Sequence, residues 1–277
     1  MKEKDPMKKI LAIVLTLVLC AGLTACGGKK SDGTTIKVGA SPAPHAELLE
    51  LCVEPLAAKG ITLEIVTFED YVLPNTATED GSIDANFFQH TPYLTSFNES
   101  NGTHLVSIGA VHYEPLGIYP GTAASFDEVK ANGGKIAVPN DASNEARALL
   151  LLEANGIITL DPNAGINATK QDIVDNPYNV EIIEIEAAQL TAHLPDVALA
   201  VINGNYAIAA GLSVANDAIA IEEASSTAAQ TYANILVVKE GNENNEAILA
   251  LLAELQGETV KSYIAATYDG AVVSAVG

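Results

Sequence analysis

The sequence is poor in several residue types, and each shortage excludes a class of protein. Its 277 residues include no tryptophan and only three cysteines, too few for a framework of disulfide bonds. Basic residues number 14 against 35 acidic ones, which gives a formal net charge of −21. Nucleic acids and anionic lipid repel so acidic a chain, so we expect no nucleic-acid partner. A hydrophobic core must therefore hold the fold together, and the acidity mainly favours a monomer.

The sequence also lacks the short motifs of common enzymes. No G-x-S-x-G nucleophile turn is present, because Ser41 is followed by Pro42, and no glycine-rich phosphate loop precedes Lys135. The five histidines do not show the paired spacing of a zinc site. We therefore predict a protein that is not an enzyme and that uses neither a cofactor nor a metal.

The N-terminal residues have the form of an export signal. Lys8 and Lys9 precede an apolar run at residues 10–19 that is too short to span a bilayer. The letters LTAC at residues 23–26 fit the pattern in which a signal peptidase cuts before a cysteine that becomes lipid-modified. We predict a signal peptide at residues 1–25, a lipid on Cys26 and a flexible, lipid-anchored tether at residues 26–34. Cleavage would remove four lysines and two acids, leaving 10 basic and 33 acidic residues.

Beyond the tether, strand-like and helix-like stretches alternate along the chain. This alternation predicts an α/β fold in which most strands are parallel. Residues 84–97 are expected to form one helix. Turn-forming residues at 117–121 and the stretch before Tyr232 are the predicted hinge crossings between two lobes.

Arg147 is the only arginine of the sequence. Its planar fork of donors suits a carboxylate better than lysine does. The letters VPNDAS at residues 138–143 predict a strand end and a helix cap, which places Arg147 in the first turn of the next helix. Arginine at such a helix start favours an anion site, and the alternative is a structural ion pair between lobes. We expect Arg147→Ala to leave the fold intact and to abolish ligand binding.

Aromatic residues are concentrated in one part of the chain. Eight of the fourteen phenylalanines and tyrosines lie between positions 68 and 119. We expect Phe87 and Phe97 to belong to the core. Rings flanked by polar residues and prolines fit a pocket wall, and this interpretation covers Tyr71, Phe88, His90 and Tyr93.

Five segments of the sequence match short motifs that occur in the same order in one protein family. They are FEDYVLPN at residues 68–75, IDANFFQHTPYL at 83–94, VPNDASNEARALLLL at 138–152, EAAQL at 186–190 and AVINGNYA at 200–207. Together they resemble the methionine-binding lipoproteins of ABC importers, the NLPA or MetQ-like family. Phe87 and the letters VHYEPLGIY at residues 111–119 depart from the family's commoner pattern, which leaves the pocket size and the exact ligand open.

The resemblance implies a two-lobed type II periplasmic-binding-protein fold with a ligand cleft between the lobes. We expect lobe 1 at residues 35–118 plus 233–277 and lobe 2 at residues 119–232. The family pattern implies that Arg147 pairs with the ligand's carboxylate, while Asn203 and Asn234 bind its carboxylate or ammonium group. Family aromatic residues hold the thioether side chain. The expected ligand-binding residues are Arg147, Asn203, Asn234, Tyr71, Phe88, His90, Tyr93, Asn144 and Tyr113.

The implied function is capture of L-methionine or a close relative at the extracytoplasmic face of the bacterial cell membrane. The expected partners are this small-molecule ligand, the membrane reached through the Cys26 lipid, and the permease and ATPase subunits of an ABC importer. Three alternatives stay open. In the first, the ligand is another apolar amino acid or a methionine-containing dipeptide. In the second, the chain is a metal-binding lipoprotein of an importer and uses His90 and His112. In the third, it is an adhesin whose cleft binds no amino acid.

Overall fold

The structure is a computed structural model that describes residues 33–223 and 231–275. The predicted signal peptide, the lipid site at Cys26 and most of the predicted tether lie outside these residues. The described chain from Thr34 onward belongs to one compact unit. Neither described range contains a helix with the length and apolar character that crossing a bilayer requires.

The first lobe is built on a six-stranded sheet with the strand order β13-β4-β12-β3-β1-β2. Its strands are β1 (Thr34–Ala40), β2 (Ile61–Thr67), β3 (Ala85–His90), β4 (Leu105–Tyr113), β12 (Asn234–Lys239) and β13 (Val273–Ser274). The helices that accompany it are α1 (Glu47–Ala58), α2 (Leu73–Asp80), α3 (Thr91–Asn101), α7 (Glu246–Leu255) and α8 (Glu258–Thr267). A short turn of residues Pro42–Ala46 joins β1 to α1 and contains a cis peptide bond before Pro44.

The second lobe is built on a five-stranded sheet with the strand order β11-β5-β10-β6-β9. Its strands are β5 (Gly117–Pro120), β6 (Gly134–Pro139), β9 (Val180–Ile185), β10 (Leu199–Ile202) and β11 (Ala220–Ile221), and a separate pair is formed by β7 (Thr159–Leu160) and β8 (Ile173–Asp175). Its helices are α4 (Phe126–Asn132), α5 (Ala142–Ala154) and α6 (Gly204–Ala209). Short 3-10 segments lie at Gly165–Asn167, Lys170–Asp172 and Ala187–Asp196.

Each sheet has its own hydrophobic core. In the first lobe, Leu48, Leu49, Cys52 and Leu56 recur at helical spacing along α1 and pack into one cluster with residues of β1, α7 and α8. Burial of each large aliphatic side chain contributes about 1.5–3 kcal/mol to this packing. Burial also raises the pKa of the Cys52 thiol to about 12, so the thiol stays protonated and unreactive at neutral pH.

The prediction of mostly parallel strands is wrong. Parallel pairing occurs between β1 and β2, β1 and β3, β6 and β9, and β6 and β10. The pairs of β12 with β3 and β4, and of β5 with β10 and β11, are antiparallel. The reason is the path of the chain, because it leaves the first sheet after β4 and returns to the same sheet in the opposite direction as β12.

The prediction of one helix over residues 84–97 is also wrong, since β3 occupies its first half. All six residues of β3 are buried, and three of them are polar, so the strand shows no apolar alternation that would reveal it. Its polar side chains are satisfied by a buried amide network, in which Gln89 donates to Asn75 at 2.5 Å and Asn86 donates to Thr78 at 2.6 Å. The helix α3 begins only at Thr91, where the His90 ring accepts a hydrogen bond from the Tyr93 backbone nitrogen.

The predicted hinge at residues 117–121 is misplaced. Residues Gly117–Pro120 form β5, which pairs with β10 and β11 inside the second sheet. Gly117 is needed there for packing, because a Cβ atom on it would approach the Tyr119 ring within 2.7 Å. The first crossing, where the chain passes from the first sheet to the second, is therefore at residues 114–116. The expected boundary between the lobes, between residues 118 and 119, would divide β5. The chain passes from the second sheet back to the first between β11 and β12.

Candidate ligand-binding site

A pocket of about 330 Å³, including its open mouth, lies between the lobes. An aromatic wall faces a polar wall across it. The lining residues are Tyr71, Phe88, Gln89, His90, Tyr93, Glu114, Asn144, Arg147, Asn203, Gly204, Asn205 and Asn234.

Three rings form the aromatic wall on the first lobe. Because side chains alternate along a strand, Phe88 of β3 faces the pocket while Phe87 points into the core. The Phe88 and Tyr71 ring centroids are 5.6 Å apart, and the Phe88 and Tyr93 centroids are 5.9 Å apart. Both spacings lie in the favourable range for tilted or edge-to-face aromatic pairs. Phe97, predicted for the core, packs behind this wall in the same small cluster.

Asn144 connects the two lobes at the polar side of the pocket. Its Oδ1 atom lies 3.1 Å from His90 Nε2 on the first lobe and accepts a hydrogen bond of 2.9 Å from Asn203 Nδ2 on the second. Its own amide donates to Asp141, the cap of α5, so the side chain cannot rotate freely. Burial, followed by the nearby positive charge of Arg147, lowers the pKa of His90 to about 3. His90 is therefore neutral and donates one of these hydrogen bonds.

Arg147 lies in the second turn of α5, one turn later than the prediction. Its side chain is buried, and its fork already has a carboxylate partner in Glu222, with Nε 2.9 Å from Oε1. Nη2 also donates to Glu222 Oε2 and, at 2.9 Å, to the backbone oxygen of Glu114. The Tyr232 ring covers the guanidinium at 4.4 Å. A structural ion pair is thus present, but it joins Arg147 to a residue directly after β11 of the same lobe and not to the other lobe, and Arg147 also lines the pocket.

Tyr113 lies behind Arg147 rather than on the pocket surface. Its hydroxyl donates to Glu222 Oε2 at 2.6 Å, and its ring is 5.6 Å from the guanidinium. Burial of Glu222 opposes its ionisation, but the charge and hydrogen bonds of Arg147 outweigh this effect and lower the pKa of Glu222. The direct ligand contact predicted for Tyr113 is not supported by this position, because the tyrosine contacts the ion pair.

The structure brings together three residues that were not predicted to be neighbours. His112 Nε2 is 2.7 Å from Glu114 Oε1, and His45 Nε2 is 3.4 Å from the same oxygen. Burial lowers the pKa of His45 to about 4 and that of His112 to about 3, and it raises the pKa of Glu114. The ligand atoms of this group lie within 4.8 Å of one another, close enough to hold a metal ion. The metal alternative therefore fits His45, His112 and Glu114 rather than His90 and His112.

Asn234 links this group to the pocket. Its Oδ1 atom is 3.0 Å from His45 Nε2, and the residue begins β12 where the chain re-enters the first sheet. Glu114 and Glu222 were missed from the sequence. The signal for the first was the spacing His112-x-Glu114, because residues two apart at a strand end lie on the same side. The second carried no local signal, since Glu222 is 75 residues from Arg147.

Direct hydrogen bonds hold the two lobes together beside the pocket. The Tyr71 hydroxyl donates to Asn205 Oδ1 at 2.5 Å, and the Tyr206 hydroxyl donates to the Glu69 backbone oxygen at 3.1 Å. The rings of Tyr71 and Tyr206 are 5.0 Å apart. With the His90 and Asn144 contact, these bonds describe a closed cleft.

Comparisons with known sequences all point to the same protein family. The sequence model of the NlpA lipoprotein family matches residues 36–276. The membrane lipoprotein TpN32 of Treponema pallidum is 44% identical over 258 residues, which cover 93% of this chain and 94% of the relative. The methionine-binding lipoprotein MetQ of Bacillus subtilis is 39% identical over 275 residues, which cover 96% of this chain and 98% of the relative.

Solved structures agree with the sequence comparison. A lipoprotein from Ruminococcus gnavus superposes with a TM-score of 0.86 at 58% identity, covering 87% of this chain and 99% of that structure. A nutrient-binding protein from Burkholderia cenocepacia, bound to methionine, superposes with a TM-score of 0.81 at 40% identity and the same coverage. The two-lobed type II periplasmic-binding-protein fold predicted from the sequence is confirmed.

Proposed function

This chain belongs to the NlpA lipoprotein family, and from that premise we propose that it captures methionine for an ABC importer. The observation that carries the proposal is the pocket between the lobes, where aromatic rings face amide, carboxylate and guanidinium groups. The names of the Bacillus relative and the ligand of the Burkholderia structure support the same ligand.

The aromatic wall suits the side chain of methionine. Thioether sulfur makes favourable contacts with aromatic rings at about 5 Å, each contributing roughly 0.3–1.5 kcal/mol. Tyr71, Phe88 and Tyr93 present three such rings around one space. An unbranched thioether reaches between them more readily than a β-branched side chain, so the wall favours methionine over valine or isoleucine.

The polar wall suits the charged end of an amino acid. Arg147 makes its hydrogen bonds to described residues through Nε and Nη2, which leaves the Nη1 side of its fork to meet a ligand carboxylate. Asn144, Asn203 and Asn234 line the same region. We propose that these four residues bind the carboxylate and ammonium groups, and that the rings bind the side chain.

Ligand binding and lobe closure are expected to be coupled. A ligand that touches both walls stabilises the closed cleft by its differential contacts, as do the bonds from Tyr71 to Asn205 and from His90 to Asn144. The closed form is then what the permease recognises, while ATP is hydrolysed on a separate subunit. We propose that the chain acts as a monomer on the extracytoplasmic face of the membrane, held there by a lipid on Cys26, and that it has no enzymatic activity.

The test is calorimetric titration of the purified mature chain after partial unfolding and dialysis have removed any bound molecule. We expect tight, one-to-one binding of L-methionine, with a dissociation constant near or below 1 μM, equivalent to about −8 kcal/mol. D-methionine, leucine and glycyl-methionine in parallel titrations define the ligand range. Absence of binding by every amino acid and dipeptide tried would overturn the proposal, as would stoichiometric metal in the purified chain.

A further inference from the structure

A second pocket lies between the lobes, on the surface side of the aromatic wall. It encloses about 340 Å³ including its open mouth, and it shares Tyr71 and Tyr93 with the ligand-binding pocket. Because Val72, Asn140 and Glu186 are exposed, this outer pocket opens to the solvent. The lining residues are Tyr71, Val72 and Tyr93 of the first lobe and Asn140, Asp141, Glu186, Ala187, Ala188 and Tyr206 of the second.

The outer pocket is complete only while the cleft is closed, because both lobes line it. Two hydrogen bonds join the lobes at this place, from the Tyr71 hydroxyl to Asn205 Oδ1 at 2.5 Å and from the Tyr206 hydroxyl to the Glu69 backbone oxygen at 3.1 Å. Opening of the cleft carries Tyr206 away from the Tyr71 ring. A group that contacts both walls therefore binds the closed form more tightly than the open form.

Three tyrosine rings give the outer pocket an aromatic lining in a fixed position. The ring centroids of Tyr71 and Tyr206 are 5.0 Å apart, and those of Tyr71 and Tyr93 are 5.6 Å apart. The Tyr93 hydroxyl donates to the Tyr71 backbone oxygen at 3.0 Å, so all three hydroxyls are held by hydrogen bonds. Such rings attract a cation that lies over their faces, and they do so most often with a guanidinium group.

Two carboxylates make the lining of the outer pocket negative. Asp141 and Glu186 belong to it, and no basic residue lines it in the described part of the chain. Asp141 accepts hydrogen bonds from neutral donors, Ser143 Oγ at 2.9 Å and the Asn144 backbone nitrogen at 3.0 Å. Among the described residues, the hydrogen-bond partner of Glu186 is the neutral amide of Gln189 at 3.4 Å. Neither carboxylate is therefore matched by a cation of the described chain.

The tyrosine hydroxyls lie within the field of these acids. Burial raises the pKa of Tyr206, and the negative charges of Asp70 and Glu186 raise it further. Burial raises the pKa of Tyr93 as well, and the charges of Asp141 and Asp70 add to this effect. The field that disfavours an anion at these rings favours a bound cation.

We infer that the outer pocket is a second binding site, which takes the guanidinium group of an arginine side chain on a partner protein. A planar guanidinium both stacks on aromatic rings and pairs with carboxylates. A second copy of this chain cannot supply it, because the only arginine of the sequence is buried in its ion pair with Glu222. Val72 and its neighbour Leu73 are each 54% exposed and offer the partner apolar surface beside the charge.

The partner we expect is the permease, so the inference rests on the proposed function and names a surface through which a closed chain differs from an open one. Methionine and the guanidinium group occupy different pockets, and both need the closed cleft. Each therefore raises the affinity of the other by the same factor.

The test uses N-acetyl-arginine amide, which carries the guanidinium group and lacks the free amino and carboxyl groups of an amino acid. Calorimetric titration at constant ionic strength is expected to show one-to-one binding to the methionine-loaded chain, about tenfold tighter than to the methionine-free chain. N-acetyl-citrulline amide has nearly the same shape without the charge and is expected not to bind. Equal binding to the two forms of the chain, or equal binding of the two probes, would overturn the inference.

The matched variant is Glu186→Gln, which removes one charge of the outer pocket. We expect the affinity for the arginine probe to fall about fivefold. The affinity for methionine alone should stay unchanged, because Glu186 does not line the ligand-binding pocket. The exposed Glu181→Gln on β9 is the control for loss of one negative charge and is expected to bind both molecules as the wild type does. Unchanged probe affinity in Glu186→Gln would contradict the assignment.

Two further outcomes separate this inference from the proposed function and from a rival ligand. Methionine binding without any binding of the arginine probe would overturn this inference alone, whereas failure to bind methionine would overturn both. Tighter binding of spermidine than of the arginine probe would assign the outer pocket to a free polyamine instead of a partner's side chain.

Discussion

Glu222 and Glu114 are two largely buried glutamates near one pocket, and they differ in their partners. Glu222 contacts Arg147, whose charge and hydrogen bonds overcome the effect of burial and lower the pKa of the carboxyl. Glu114 contacts two neutral histidines, and burial raises its pKa. The only arginine of the sequence thus forms an ion pair with one of the two acids and bonds the other only through its backbone oxygen.

The largest effect on the contrast between Glu222 and Glu114 is expected from removal of the Arg147 cation. Arg147→Ala leaves Glu222 buried without its partner, and loss of one member of a buried pair costs about 3–5 kcal/mol. We therefore expect a large fall in the free energy of unfolding, measured by urea denaturation, as well as loss of methionine binding. This differs from the result expected from the sequence alone, namely an intact fold. Arg147→Lys keeps the charge, so a much smaller loss of stability is expected for that control.

Acidification acts on the histidines beside Glu114. The pKa of His45 falls from 6.5 to about 4 on folding, so its neutral ring stabilises the fold above pH 6.5. This contribution, on the order of 3 kcal/mol, is lost as the pH drops from 6.5 towards 4. We expect the midpoint of thermal unfolding to fall over this range and His45→Gln to flatten the dependence.

Neutralising Glu222 and Glu114 in turn tests the contrast between the two acids directly. Glu222→Gln removes a charge that Arg147 stabilises, and we expect the free energy of unfolding at pH 7 to fall by about 1.5–3 kcal/mol. Burial disfavours the ionised form of Glu114, so we expect Glu114→Gln to change the free energy of unfolding by less than about 1 kcal/mol, or to raise it. Denaturation curves of both variants under one set of conditions measure the difference. Equal losses in the two variants would contradict the contrast between the two acids.

The smallest expected effect concerns the contact between the lobes. Tyr71→Phe removes the hydroxyl that bonds Asn205 and keeps the ring of the aromatic wall. A net hydrogen bond contributes about 0.5–1.5 kcal/mol, so we expect methionine affinity to fall by roughly three- to tenfold. Tyr93→Phe is the control, because the Tyr93 hydroxyl bonds Tyr71 within the first lobe. Affinities from calorimetry should separate the two variants.

The sequence allowed the fold and part of the pocket to be predicted, because they depend on local or distinctive features. Arg147 stands out by its rarity, and the cap at Asp141 is readable from the residues around it. Phe88, His90 and Tyr93 belong to one continuous segment, so their shared position could be predicted even though the strand β3 was taken for a helix. Their alternation along a strand then explains why Phe87 belongs to the core.

What could not be predicted depends on residues far apart in the chain. His45 and His112 belong to different elements, and their rings come within 4.9 Å only because β1 and β4 belong to one sheet. The pairing of Arg147 with Glu222 depends on the second crossing between sheets. The antiparallel direction of β12 could not be predicted for the same reason. The periodicity of apolar residues identifies a strand but does not give its direction in the sheet.

The two crossings also determine which groups move when the cleft opens. Glu114 lies on the first crossing, and Glu222 lies at the start of the second, directly after β11. Points close to an axis of rotation travel little, whereas Tyr71 and Asn205, on opposite lobes, are carried apart. We therefore expect opening of the cleft to separate Tyr71 from Asn205 and to leave the ion pair of Arg147 with Glu222 in place.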